Sequence, residues 1–299
     1  MDASAADTTA PILAAFAPSK SERAPIEFGA AASRVTGAPL VVVHVHDEAQ
    51  AVEELRSDLA ARGIDARIET IQERSVGGGL LKAIDQFKPQ LVVLGSSTRG
   101  KVGHVLLGST AERVIHDASC PVAVVPHRYE RPEGGVQLIG AAFSQSPEGR
   151  EALEAAALMA RRGGVRLRAI TVLEGDMEQH SGLMAEQHHS VDAREGAQTR
   201  KRMDAQAALQ AAVSELAGDL DTDVDVLAQD PADALIAASR HVDLLVMGSR
   251  AHGPKAAVVL GSVSRAVITG AACPVLVLPR GASEMTHHLA ASVQAPDAG

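Results

Sequence analysis

Aromatic residues are nearly missing from this 299-residue chain: 2%, with no Trp and one Tyr. So few rings cannot build the stacking platforms that bind single-stranded nucleic acid, and the core has to be packed with Val, Leu, Ile and Ala. Basic charge is also short. Lys and Arg number 28 against 37 Asp and Glu, a formal net charge of −9. No global positive field therefore draws the chain to nucleic acid or anionic lipid. Two Cys in a chain this long exclude a disulfide scaffold and fit a reducing compartment. No apolar run reaches the roughly 18–20 residues that span a bilayer. The first residues, MDASAADTTA, have neither the basic nor the apolar region of a signal peptide. The expectation is a cytoplasmic protein with no membrane or nucleic-acid partner. At about 100–200 residues per domain, the length suggests two domains.

What is present is a repeat. LVVLGSSTRGKVGHVLLGSTAERVIHDASCPVAVVP starts at Leu91 and LLVMGSRAHGPKAAVVLGSVSRAVITGAACPVLVLP at Leu244, and they align with a constant offset of 153. Gly95 maps to Gly248, Gly108 to Gly261, Ser109 to Ser262, and Cys120 to Cys273. The front parts align with an offset of 127: Ile12 with Ile139, and Gly37 with Gly164. The difference of 26 residues measures an insertion in the second copy, placed near 174–200. The reading is one domain over 1–128, a linker near His127–Gly135, a second domain over 136–281 and a polar tail over 282–299.

Each copy alternates short apolar runs with helical stretches. The first reads PILAAF, a helix over Ser21–Val35, PLVVVHV, Glu48–Arg62, ARIETIQ, Leu80–Phe87, LVVLG, Ser109–His116 and PVAVVP. The second repeats the series, with helices at Glu148–Arg162, Met203–Leu216, Ala232–Ser239 and Ser262–Thr269. Near-continuous apolar strands between helices predict an α/β fold with a parallel sheet covered on both faces. Ligands in such sheets bind beyond the strand C-termini. The turns that start at Gly95 and Gly248 lie at that edge.

Both turns read G-x4-G-x7-G-S: Gly95, Gly100, Gly108, Ser109, then Gly248, Gly253, Gly261, Ser262. Glycines let a ligand approach the backbone closely, and the Gly-Ser leads a helix whose first amides and dipole favour phosphate. The same residues fit a plain helix cap, and Ser109-x-x-Glu112 fits a capping box. The residues alone leave both readings open.

The phrases GSTAERVIHDASCPVAVVP and GSVSRAVITGAACPVLVLP resemble the universal stress protein family, whose signature after the fourth strand is G-x2-G-x9-G-[ST]. The resemblance covers nearly the whole chain as two copies. It implies two tandem domains, each a five-stranded parallel sheet with helices on both faces, Rossmann-like and similar to the adenine nucleotide alpha-hydrolases. It also implies dimer-like pairing of the two domains within the chain, near the final strands Pro121–Val125 and Pro274–Leu278, with a homodimer of chains as the other arrangement. Some members bind ATP, with Mg²⁺, in the glycine loop, and others bind no nucleotide. Carried over, the cofactor residues are Gly95, Gly108, Ser109, Gly248, Gly261 and Ser262. The chain departs from the signature at Thr98 and Ala251, where the family has its second glycine. Nucleotide-binding members carry an Asp after the first strand; here Ala17 and Ser144 stand there. Binding is therefore expected to be weak or altered. The second copy is expected to be the better site, because Arg265, with Arg250 and Lys255 nearby, replaces Glu112 of the first.

The resemblance thus implies a stress-response protein of regulatory or interaction type, with ATP as a switch. The alternatives are a nucleotide-free interaction module and an enzyme acting on a nucleotide or phosphorylated metabolite. For the enzyme, nothing in the sequence names a catalytic base or nucleophile. GSSTRGK (Gly95–Lys101) approaches a P-loop, but Val102 stands where Ser or Thr is needed. His44, His46 and Asp47 form a compact group, and His180, His188 and His189 lie in the insertion; neither set has a full ligand spacing. Cys120 and Cys273 read as packed thiols at strand starts.

Overall fold

The structure is a computed structural model and describes residues 10–18, 23–46, 49–96, 107–127, 129–174, 191–249 and 260–279. The first half runs β1 (Ile12–Phe16), α1 (Ala24–Thr36), β2 (Leu40–Val45), α2 (Ala49–Ala61), β3 (Arg67–Ile71), α3 (Val76–Phe87), β4 (Leu91–Gly95), α4 (Ser109–Asp117) and β5 (Val122–Val125). The second runs β6 (Leu138–Phe143), α5 (Pro147–Gly163), β7 (Arg166–Glu174), α6 (Val191–Ala217), β8 (Thr222–Gln229), α7 (Pro231–Ala238), β9 (Leu244–Gly248), α8 (Ser262–Gly270) and β10 (Val275–Leu278).

The strands form one ten-stranded sheet in the order β3-β2-β1-β4-β5-β10-β9-β6-β7-β8. Within each half every pairing is parallel. Among the described residues the one antiparallel contact joins β5 to β10, where the halves meet. The expected α/β architecture of two five-stranded parallel units is therefore present, and the final strands of each copy do lie at the junction.

Alternate residues feed two cores, as the period of a strand dictates. Ile12, Ala14, Leu40 and Val42 face α1, α2, α5 and α6. Leu13, Val41, Val43 and Val45 face α3, α4, α7 and α8. The repeat extends to backbone detail. Gly37 and Gly164 are equivalent, and both end their helices in the left-handed region, at φ 68° and 60°.

Two helices differ from the sequence expectation. α3 starts at Val76 rather than Leu80, because Ser75 accepts a hydrogen bond from the Gly78 amide and caps it. Its glycines obscured that start, yet Gly79 is there for closeness: a Cβ would lie 2.6 Å from Val45 Cγ1. α6 starts at Val191 rather than Met203. Residues 196–204 are all exposed, and Ala205 is the first of the stretch to be buried. That part of α6 carries no apolar stripe for a periodicity search to find. The rest of the expected insertion, 175–190, lies outside the described residues.

Candidate functional site at the glycine turns

The candidate site lies where β4 and β9 run out at the C-terminal edge of the sheet. Gly95 is the last residue of β4, in register with Val125. Gly248 ends β9, in register with Leu278. The next residues, Ser96 and Ser249, are buried. Ser96 Oγ accepts from the His127 amide at 3.1 Å, whereas Ser249 Oγ has no partner among the described residues. The sequence reading passed over this pair; its signal was an identical Ser after the first glycine of both turns.

The other end of each turn starts a helix. Gly108 caps α4 at φ −69°, ψ 151°, and Gly261 caps α8 at φ −71°, ψ 170°. Neither helix has a side-chain cap. Ser109 and Ser262 are therefore the first helical residues rather than caps, both exposed, and the capping-box reading of Ser109 and Glu112 does not hold. By contrast, α3, α5 and α7 are capped by Ser75, Ser146 and Asp230. Among the described residues, the first amides of α4 and α8 thus have no side-chain cap, and uncapped amides at a helix start favour an anion. Thr98, Gly100, Lys101, Val102, Arg250, Ala251, Gly253 and Lys255 lie outside the described residues.

Gly248 also has a structural use. A Cβ there would fall 2.5 Å from the carbonyl oxygen of Glu148, in the first turn of α5. The missing side chain lets α5 start against the end of β9. Beside it, a cavity of about 190 Å³ is lined by Phe143, Ser144, Ile170, Leu235, Met247 and Val263. Most of its lining side chains are apolar, and Ser144 Oγ lies 3.0 Å from Ser146 Oγ. In the first half Gly79 sits close against Val45, where a Cβ would lie 2.6 Å from Cγ1.

The charges that rank the two copies turn out to be partners. Arg265 Nη1 donates to Glu112 Oε1 across the junction. A cleft of about 380 Å³ opens there, lined by Ser109, Glu112, His116, Leu260 and Arg265. Arg265 is therefore held by Glu112 as well as standing in the first turns of α8.

The remaining candidates separate. His44 is buried, with both ring nitrogens unpartnered and its ring 5.8 Å from that of Phe16. His46, the residue after β2, is exposed and has a φ of 95°, whereas His44 lies inside. Among the described residues no cluster of three His, Cys, Asp or Glu could hold a metal. Asp47, His180, His188 and His189 lie outside them. Cys120 and Cys273 are buried, and burial pushes both thiols up to about 12. Neutral thiols of this kind pack rather than react. Among the described residues no helix is long and apolar enough to cross a membrane.

The sequence profile described as "Universal stress protein family" matches residues 47–126 and 136–279. The chain belongs to the universal stress protein family. Universal stress protein Rv2319c of Mycobacterium tuberculosis (strain ATCC 25618 / H37Rv) is 32% identical over 224 residues, 73% of this chain and 74% of that protein. Among solved structures, a putative universal stress protein from Pseudomonas aeruginosa UCBPP-PA14 aligns with a TM-score of 0.66 at 18% identity, over 96% of this chain and 99% of that one. A universal stress protein from Archaeoglobus fulgidus DSM 4304 aligns with a TM-score of 0.60 at 21% identity, over 92% and 100%. At these identities the structural matches show the fold alone. For this universal stress protein the two profile matches fall one in each half, so the chain is a tandem pair of family domains.

Proposed function

We propose that this universal stress protein is a cytoplasmic regulatory protein whose second half takes an adenine nucleotide at the turn between β9 and α8, with occupancy changing what its surface binds. The observation that carries the reading is the start of α8 on Gly261 with no side-chain cap. Gly261 and Ser262 would receive the phosphates, with Gly248 bordering the cavity beside Ser144. At about 190 Å³ the cavity is smaller than the roughly 300–1,000 Å³ of pockets that enclose drug-sized ligands. It suits the base alone, with ribose and phosphates outside it. The donor set fits a phosphate; the ribose side lacks a carboxylate, since Ala17 and Ser144 stand there. Mg²⁺ would arrive with the phosphates, supplying charge neutralisation. The equivalent turn of the first half, Gly95, Gly108 and Ser109, is the weaker seat, with Glu112 in the first turn of α4. We read 1–128 and 136–281 as the extents of the two domains.

A second reading is a nucleotide-free interaction module. It is favoured by Gly248, whose missing side chain the fold itself requires. The test is equilibrium binding of a fluorescent ATP analogue to the full chain, competed by ATP and by inorganic phosphate. Competition by ATP that weakens in Gly261→Asp supports the nucleotide seat. Absence of saturable binding supports the interaction module.

A further inference from the structure

The register of β5 against β10 locates the pseudo-twofold axis of the molecule. Val275 pairs with Val124, Leu276 with Ala123, and Val277 with Val122. The repeat offset of 153 makes Ala123 and Leu276 the same position, so this position faces itself across the axis. Glu112 and Arg265 are also one position, 153 residues apart, and they too face each other. In a symmetric pair of identical halves, a self-facing position meets its own copy.

At neither position do the two halves carry the same residue. Ala123 and Leu276 are both buried, one small and one large. Glu112 and Arg265 are of opposite charge. Two first halves brought together would set Ala against Ala, leaving space at the axis, and Glu against Glu. Two second halves would crowd Leu against Leu and set Arg against Arg. Voids and overpacking both weaken a buried contact, and facing like charges repel. Volume and charge are independent terms, and both favour unlike halves.

We propose that the β5–β10 face with its flanking helices α4 and α8 is a heterospecific pairing surface. Its partner is the other half of the same chain, and residues 112, 123, 265 and 276 are the positions that exclude a pair of identical halves. The linking residues 126–137 hold the correct partner at high effective concentration. Partner choice then comes from differences in affinity built into both options. The strand register and the facing residues are the same whether or not a nucleotide binds.

The test uses full-length chains and a short bis-maleimide, with Cys120 and Cys273 buried and shielded. Cys placed at 112 and 265 together should cross-link within one chain. His116→Cys alone, at a residue that lines the same cleft and with Glu112 kept in place, should give less than one-tenth as much interchain product at the same protein concentration. Interchain dimers of the His116→Cys chain in equal yield would overturn the proposal. A second measurement swaps the volumes. Ala123→Leu and Leu276→Ala should each lower Tm, and the double variant should recover at least half of their summed loss. A double variant that loses the full sum would show no complementarity and would overturn it as well. Should Ala123→Leu fail to fold, the exposed swap Glu112→Arg with Arg265→Glu reads the same coupling.

Discussion

Glu112 and Arg265 occupy the same place in two copies of one motif, and they bind each other across the axis that relates those copies. Both side chains are about half exposed, so the pair contributes at most about 1 kcal/mol to stability. Its larger consequence concerns the glycine turn beside it. While Glu112 holds Arg265, that guanidinium is partly neutralised toward an anion at the start of α8. Glu112→Gln should therefore tighten Mg-ATP binding by the full chain severalfold and steepen its weakening with ionic strength, because more uncompensated positive charge then faces the phosphates. Calorimetric titrations at two salt concentrations check this.

Gly248→Ala should destabilise the protein by about 1–3 kcal/mol, the usual cost of forcing extra volume into a packed site. Its Cβ would meet the Glu148 carbonyl oxygen at 2.5 Å, and a helix backbone cannot yield as a flexible side chain does. Urea unfolding curves read the shift. Gly164→Ala, where nothing lies within 4 Å but φ is +60°, should cost about 1–2 kcal/mol through backbone strain alone.

The cysteines give a pH prediction with a definite sign. Burial holds both thiols at about 12, against an ordinary 9.0. The folded chain keeps two protons that the unfolded chain releases. Stability is therefore unaffected below pH 9 and falls as pH rises from 9 toward 12, by up to about 1.4 kcal/mol per pH unit per thiol. Unfolding midpoints at pH 8 and pH 10.5 test it, with the Cys120→Ala/Cys273→Ala variant expected to lose part of that slope. At pH 8 neither thiol should react with a disulfide reagent until the protein is unfolded.

The first turns of α6 form a third place to probe. Residues 196–204 are exposed, and Met203 is 65% exposed, while Met159 and Met247 are buried. Dilute peroxide should oxidise Met203 well before Met159 or Met247, as peptide mass spectrometry would show. Hydrogen exchange should be fast over 196–204 and slow from Leu209 onward, because packing rather than propensity stabilises most helices.

Much of this was legible in the chain itself. Strands such as LVVVHV and LLVMG are continuous apolar runs because helices cover both faces of the sheet. The repeat made every element visible twice, and Gly37 and Gly164 marked the same helix end in each half. The start of α3 was not legible, because glycines that serve close packing look like helix breakers. Nor was the early start of α6, whose exposed turns lack a hydrophobic period. At the site, Gly-Ser revealed where each helix begins but assigned the cap to the wrong residue; it is the glycine. The partnership of Glu112 with Arg265 needed the axis, which only the strand register supplies.

The most direct measurement is a calorimetric titration of the ligand-stripped full chain with Mg-ATP, run beside Gly108→Asp and Gly261→Asp. The account predicts one saturable site per chain, retained in Gly108→Asp and abolished in Gly261→Asp. No saturable heat up to millimolar ATP, or a site lost with Gly108→Asp and kept with Gly261→Asp, would contradict it.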